Sequence, residues 1–367
     1  MKYAIFGAGI VGEQFLTEYE ETQRIDIVFD NQKKGIFHFR EIKKPEYRKE
    51  LFIIVTSNRY FEIRKQLLGL GYSEFADFIP YQIFGKKMAI AYGNCHIDAV
   101  KAYLENKKAF AQDYGFYPFP GIQEMDLLEN YERVLPYCEL FLHQSIRKEN
   151  KFGEKCASEA MMKYLSKGCQ VISVPNLYRM PECFFPQQRL DNRKGLRGVF
   201  YFCSGEDENV RKWIREGRTE EDIKGYMVKG GVYKKEEILN KWEQFQEKLL
   251  KREEEWDIKI SDYIFANYKS KKLFYERVHI SNFLVKEIAA RILKYMGYDE
   301  EIPLDLPYFL DSHEMFIYED VVNALELEFK QRYIRVTQKC YSLNQYAMDI
   351  EEYIHQLCKW SRVQNRV

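Results

Sequence analysis

No run of apolar residues in this 367-residue chain approaches the roughly 18 positions that a membrane-spanning helix needs. No two cysteines fall at the CxxC spacing of a zinc knuckle or a thioredoxin-type redox site. Net charge is missing as well: 56 Lys and Arg stand against 56 Asp and Glu, leaving no overall field to draw the chain onto nucleic acid or an anionic bilayer. Internal repeats and low-complexity segments are absent, and the opening MKYAIFGAGI has no charged region ahead of its apolar residues, as a secretory signal would. These absences predict a soluble cytoplasmic protein whose eight cysteines, from Cys95 to Cys358, are mostly buried thiols. What the chain has in quantity is length and rings. With 28 Tyr and 26 Phe to fill cores, at least two domains are expected.

The first unit is predicted over residues 1–84. Tyr3-Ala4-Ile5-Phe6 reads as a short strand, Gly7, Gly9 and Gly12 follow in GxGxxG spacing, and Gln14-Phe15-Leu16 opens a helix. A second strand, Ile25 to Phe29, ends at Asp30, the right distance on to meet a ribose hydroxyl. Leu51 to Val55 is a third strand, Tyr60 to Leu70 a helix stopped by Gly71, and Phe75 to Ile79 a last short strand. The expectation is a small Rossmann-like βαβ domain, about half of a full dinucleotide fold, for which Gly7, Gly9, Gly12 and Asp30 are the binding candidates. Its ligand is open among NAD, another nucleotide or a nucleotide sugar, and none.

A second α/β core is predicted over 86–300. Met88 to Tyr92, Glu139 to Leu142 and Gln170 to Val174 read as strands, each ending in a polar cluster: Gly93-Asn94-Cys95-His96, His143-Gln144 with Arg147, and Asn176 with Tyr178. Parallel sheets keep their ligand crevice along the carboxyl edge, so the three clusters should converge. Between Glu206 and Ile260, 15 acids and 13 bases alternate around an apolar stripe of Ile238, Trp242, Phe245 and Leu249, which predicts a solvated helical insertion. An amphipathic helix follows Val278-His279, with Ser281 or Asn282 as its cap and Gly297 as its stop. Residues 301–367 are expected to form a helical extension.

Chemistry is most legible at Gly93-Asn94-Cys95-His96. A cysteine on a strand-to-helix turn meets the helix amino terminus, which favours a thiolate nucleophile, while Asn94 and backbone N–H groups can hold an oxyanion. The competing role is a small buried cysteine in a tight turn. His96, one position along the helix, is a binding residue. His279, just ahead of a large helix, is the candidate general base, against a role in the core or as a cap. His143 and Gln144 can hold substrate or pantetheine amides and Arg147 a phosphate. His38, His313 and His355 have no evident partner.

Taken together, Tyr92-Gly93-Asn94-Cys95, His143-Gln144, Val174-Pro175-Asn176-Leu177-Tyr178 through Phe184-Phe185-Pro186, Lys251-Arg252-Glu253, and Phe274 leading to His279 resemble the WcbI family of polysaccharide-biosynthesis proteins, over about residues 88–297. The resemblance implies a coenzyme A pocket and O-acetyl transfer from acetyl-CoA to a sugar hydroxyl of a surface or capsular polysaccharide precursor. Where the family continues GNC with Gln this chain has His96, and where the family's later histidine is followed by Pro this chain has Ile280. The leading expectation is an acyltransferase on an α/β fold, with Cys95, Asn94 and His279 as catalytic residues. It works on a small-molecule or polysaccharide substrate, without nucleic acid, metal or membrane span, and is compatible with a homo-oligomer. The alternatives are an NAD-dependent oxidoreductase built on the glycine turn, an esterase of the SGNH kind, and a non-catalytic nucleotide-sugar-binding protein.

Overall fold

The computed structural model describes residues 2–19, 25–33, 37–38, 41–42, 47, 50–190, 205–298, 302, 310, 314–331, 333–337 and 345–364. Cys203, Cys340 and His313 lie outside them, as does the side chain of His38. The α/β class holds: two sheets of parallel strands are interleaved with helices. None of the described helices is long and apolar enough to cross a membrane.

The first sheet has five strands rather than half a fold. They are β1 (Lys2–Phe6), β2 (Ile25–Asp30), β3 (Phe37–His38), β4 (Leu51–Val55) and β5 (Phe78–Pro80), in the spatial order β3-β2-β1-β4-β5, each paired parallel with its neighbour. That is the doubly wound order, with helices α1 (Ile10–Tyr19) and α2 (Tyr60–Gly69) as crossovers. β3 carries no clear strand pattern in the sequence because two residues are too few for periodicity to show.

The glycine turn has a distinct reason for each of its glycines. Gly7 sits at φ 119°, and a Cβ there would come within 2.5 Å of the Thr56 carbonyl oxygen. A Cβ on Gly12 would stand 2.0 Å from the Gly7 carbonyl oxygen, so that position admits only the closest helix–strand packing. Nothing lies within 4 Å of the Cβ position at Gly9.

The second sheet contains β6 (Lys87–Tyr92), β7 (Tyr114–Phe116), β8 (Leu140–Gln144) and β9 (Gln170–Val174) in the order β7-β6-β8-β9. β6 pairs parallel with both β7 and β8. The chain leaves β6 for β7 on one side and then crosses to β8 on the other. The carboxyl ends of β6 and β8 therefore flank the switch point where open sheets bind ligands.

By its internal contacts the chain forms two compact units. One comprises residues 1–94 and 105–172 and holds both sheets except the end of β9; the other comprises 95–104 and 173–367. In the first, one continuous core joins Ala4, Phe6, Ile53 and Phe78 of the first sheet to Met88, Ile90 and Phe141 of the second. A buried carboxylate reinforces it: Glu74 accepts hydrogen bonds from Tyr60, from Tyr117 (2.7 Å) and from Arg64 Nε (2.7 Å). The second unit contains the charged segment as helices Glu208–Arg215 and Glu220–Lys229 and as α4 (Lys235–Glu253), whose buried face is Ile238, Trp242, Phe245 and Leu249. α5 (Asn282–Tyr295) is the amphipathic helix after His279.

Candidate active site

β6 ends at Tyr92, whose hydroxyl donates to the Cys156 carbonyl at 2.6 Å, and the chain then turns through Gly93 and Asn94 into helix α3 (Cys95–Glu105). In the first unit the turn is set by Gln144, the last residue of β8. Its side-chain carbonyl oxygen accepts the Asn94 N–H at 2.9 Å, and its backbone carbonyl accepts the Ser158 hydroxyl at 2.9 Å. A Cβ at Gly93 would fall 2.4 Å from that same Oε1, so glycine is what lets Gln144 reach across. His143 is buried with its ring stacked on Phe141, centroids 5.4 Å apart, and Arg147 is exposed in the loop beyond.

In the second unit Cys95 opens α3, half-buried as a free thiol, and its side chain hydrogen-bonds His279. His279 Nδ1 stands 2.7 Å from Glu276 Oε1, a carboxylate with no exposed surface. Sulfur, imidazole and carboxylate thus form a chain. Burial works against charge on His279, but the hydrogen bonds to Cys95 and Glu276 and the Glu276 charge outweigh it and push the imidazole up to about 10.

Local structure brings this chain together. An antiparallel bridge between Phe274 and Ile280, with the Tyr275 N–H on the His279 carbonyl at 3.0 Å, closes a tight loop that places Glu276 beside His279. Gln188, on the short strand β10 (Gln188–Leu190), clamps the loop with both ends of its amide: Nε2 donates to Glu276 Oε2 at 2.6 Å, and Oε1 accepts the Arg277 N–H at 2.8 Å. The loop is tied to α3 by His96, whose Nε2 lies 2.6 Å from the Val278 carbonyl oxygen. Burial holds His96 down at about 4, so it is neutral and donates to that carbonyl. The residue after Cys95 is therefore fastened to the residue before His279.

Ser281 occupies the N-cap position of α5, yet its side chain makes no capping bond, contrary to expectation. Its hydroxyl and the Asn282 Nδ2 are buried and without a hydrogen-bond partner among the described residues. At the third strand end, Asn176 closes its own Asx turn onto the Tyr178 N–H at 3.2 Å and gives its carbonyl to Arg252. Glu276 and Gln188 were not singled out from the sequence. An acid three residues before the histidine was the one local signal for Glu276, and nothing local marks Gln188.

Asp30 accepts the N–H groups of Ala8 (2.8 Å), Gln32 and Lys33, which keep its carboxyl below the usual range although burial pulls the other way. The acid of the first sheet thus braces the glycine turn itself. Among the described residues no group of three or more His, Cys, Asp and Glu side chains could hold a metal ion.

The family profile described as polysaccharide biosynthesis enzyme WcbI matches residues 88–301. A solved structure of WcbI, a polysaccharide biosynthesis enzyme, superposes with a TM-score of 0.59 at 20% identity, over 76% of this chain and 90% of that one. That structure is described as the native protein without a disulfide bond between coenzyme A and one of its cysteines. No curated protein matches the chain.

Proposed function

Since the chain belongs to the WcbI family of polysaccharide biosynthesis enzymes, we propose that it is a cytoplasmic coenzyme A-dependent O-acetyltransferase that modifies a sugar hydroxyl of a polysaccharide precursor. The observation that carries this reading is the sequence of contacts Cys95, His279, Glu276, ending on a fully buried carboxylate. Two polar atoms next to it suit a thioester ligand: Ser281 Oγ and Asn282 Nδ2 are buried without partners and would be satisfied by an acyl or amide oxygen. Coenzyme A supplies an acyl group already activated as a thioester, with a good leaving thiol. That the WcbI structure is described by the absence of a coenzyme A–cysteine disulfide supports reading Cys95 as the residue here that would meet that thiol.

The raised basicity of His279 supports covalent over direct transfer. An imidazole pushed up to about 10 is an imidazolium at neutral pH and cannot take a proton from a sugar hydroxyl, but beside sulfur it stabilises a thiolate. In the first half-reaction Cys95 Sγ bonds to the acyl carbon, and His279 gives its proton to the departing sulfur. The side chain is now acyl-Cys95 and His279 is neutral. In the second, His279 accepts the proton of the sugar hydroxyl as its oxygen bonds to the acyl carbon, and the Cys95 sulfur leaves as thiolate, restoring the pair. Glu276 keeps the imidazole oriented throughout, and the amino terminus of α3 would hold the oxyanion, the role the sequence also suggests for Asn94. For the glycine turn of the first sheet, the open space at Gly9 supports a nucleotide or nucleotide-sugar role.

The test is a trapping experiment. Wild-type protein incubated with radiolabelled acetyl-CoA should retain hydroxylamine-labile label, and Cys95→Ala should retain none while turnover falls roughly a thousandfold. Near-normal turnover of Cys95→Ala would remove the covalent route.

A further inference from the structure

Cys138 and Cys169 are 31 positions apart, a spacing that signals nothing in the sequence. In the first unit they come together, just ahead of the adjoining strands β8 and β9. The strands are joined at their start by the Gln170 N–H, which donates to the Glu139 carbonyl at 2.8 Å. A turn holds each cysteine: the Cys138 N–H donates to the Leu135 carbonyl at 3.0 Å, and the Cys169 N–H to the Ser166 carbonyl at 3.1 Å. Both are free thiols packed on one apolar cluster, Cys138 with no exposed surface and Cys169 half-buried, and their side chains hydrogen-bond each other. Neighbouring strands run about 4.8 Å apart, inside the Cα separation of roughly 4.4–6.8 Å that a disulfide spans.

The two sulfurs differ in character. Cys169 accepts the Cys138 thiol and the Phe141 N–H, which together hold it below the ordinary thiol range against burial and the Glu139 charge. Burial pushes Cys138 well up. It also raises Cys156, Cys183 and Cys358, so none of those three offers a comparable sulfur. A thiolate with access to solvent, backed by a buried thiol in contact with it, is the arrangement in which an oxidised cysteine is resolved to a disulfide.

We propose that Cys138 and Cys169 form a reversible disulfide when the protein meets a hydroperoxide, in a modification that involves neither Cys95 nor His279. The Cys169 thiolate attacks the hydroxyl oxygen of the peroxide, the O–O bond breaks, and the departing alkoxide or hydroxide takes a proton from water. Cys169 is then a sulfenic acid. The Cys138 sulfur bonds to the Cys169 sulfur, and the Cys138 proton leaves with the sulfenic hydroxyl as water. Two thiols have given up two electrons, and the peroxide has gained them. An excess of small thiol reverses the change by exchange. The bond closes the stretch 139–168 into a loop and fastens β8, whose other end supplies Gln144, to β9, so the oxidised chain resists unfolding. Nothing in this inference depends on acyl transfer.

The test treats the reduced full chain with hydrogen peroxide, alkylates the remaining thiols and maps peptides without reductant. A single intramolecular Cys138–Cys169 cross-link is expected, lighter by two hydrogens than the paired thiols and opened by dithiothreitol. The oxidised chain should melt several degrees higher than the reduced one. In Cys138→Ala, dimedone should label Cys169 as the stranded sulfenic acid, and in Cys169→Ala it should leave Cys138 unlabelled. Cys95→Ala should form the cross-link as fast as the wild type, whatever becomes of its turnover. Full alkylation of both thiols after peroxide, a cross-link found only between chains or only in denaturant, or its absence from Cys95→Ala overturns the proposal. Dimedone on Cys138 overturns the order of the two steps, and an unchanged melting temperature overturns the fastening. The wild-type map decides the pairing even where a variant does not fold.

Discussion

His96 and His279 belong to one unit and titrate in opposite senses. His279 keeps its proton to about pH 10 in the folded chain, whereas an unfolded imidazole loses it near 6.5. The stability it contributes is complete below pH 6.5 and is lost as pH rises toward 10. His96 has the reverse linkage. Its folded value of about 4 means stability is complete above pH 6.5 and falls as pH drops toward 4, because the unfolded chain then binds the extra proton. Thermal midpoints measured against pH should show both limbs. Glu276→Gln should flatten the alkaline limb, and His96→Gln the acid one, since an amide can still donate to the Val278 carbonyl but does not titrate. For catalysis Glu276→Gln is expected to lower kcat/KM roughly a hundredfold with KM nearly unchanged, and to shift the pH profile; an unaltered profile would show Glu276 to be packing alone.

Two strand-turn-helix elements, β1 to α1 and β6 to α3, use glycine for different ends. In the first, Gly12 lets the helix lie against the Gly7 carbonyl, so Gly12→Ala must push backbone apart and should destabilise the protein by roughly 2 kcal/mol or more, read by denaturant unfolding. In the second, the obstacle to a Cβ at Gly93 is the far end of the Gln144 side chain, which can move. Gly93→Ala should therefore fold but release the Asn94 N–H, costing about 1 kcal/mol and a larger share of activity. How well the sequence disclosed these elements depended on their length. β6, β8, α3, α4 and α5 were legible because five or more residues repeat a periodicity. The 274–280 loop was not, because its closure depends on Gln188, 88 positions before Glu276, and no local pattern encodes that pairing. Ser281 shows the converse failure. It has the residue type and position of a cap, yet its hydroxyl makes no capping bond.

Across the whole molecule the core does not stop where the first strand series ends. Ile53, Phe78 and Ile83 share one apolar cluster with Met88, Ile90 and Phe141, and the Glu74 carboxylate is satisfied by Tyr117 from beyond the junction at Gly85. Residues 1–84 expressed alone should lack a cooperative thermal transition, whereas 1–172 retains this cluster entire; a sharp transition in the shorter fragment would show the first sheet to be self-sufficient. The equal totals of acids and bases likewise conceal a local imbalance. The charged helical segment carries both signs at its surface, yet Lys241, Lys248 and Arg252 share one side of α4, where Glu182 bridges Lys241 and Arg277.

The sequence by itself determined the α/β class, the longer strands of both sheets, the turn that presents Cys95 and the helix that follows His279, because each rests on local periodicity or on glycine where no side chain fits. Only the tertiary structure decided that Gln188 holds Glu276 beside His279, that His96 turns inward to fasten Val278, and that Lys241 and Arg277 meet at Glu182. Those are contacts between residues tens to almost two hundred positions apart. Their distances are set by packing and by hydrogen bonds that buried groups must complete, and a linear pattern carries no record of either.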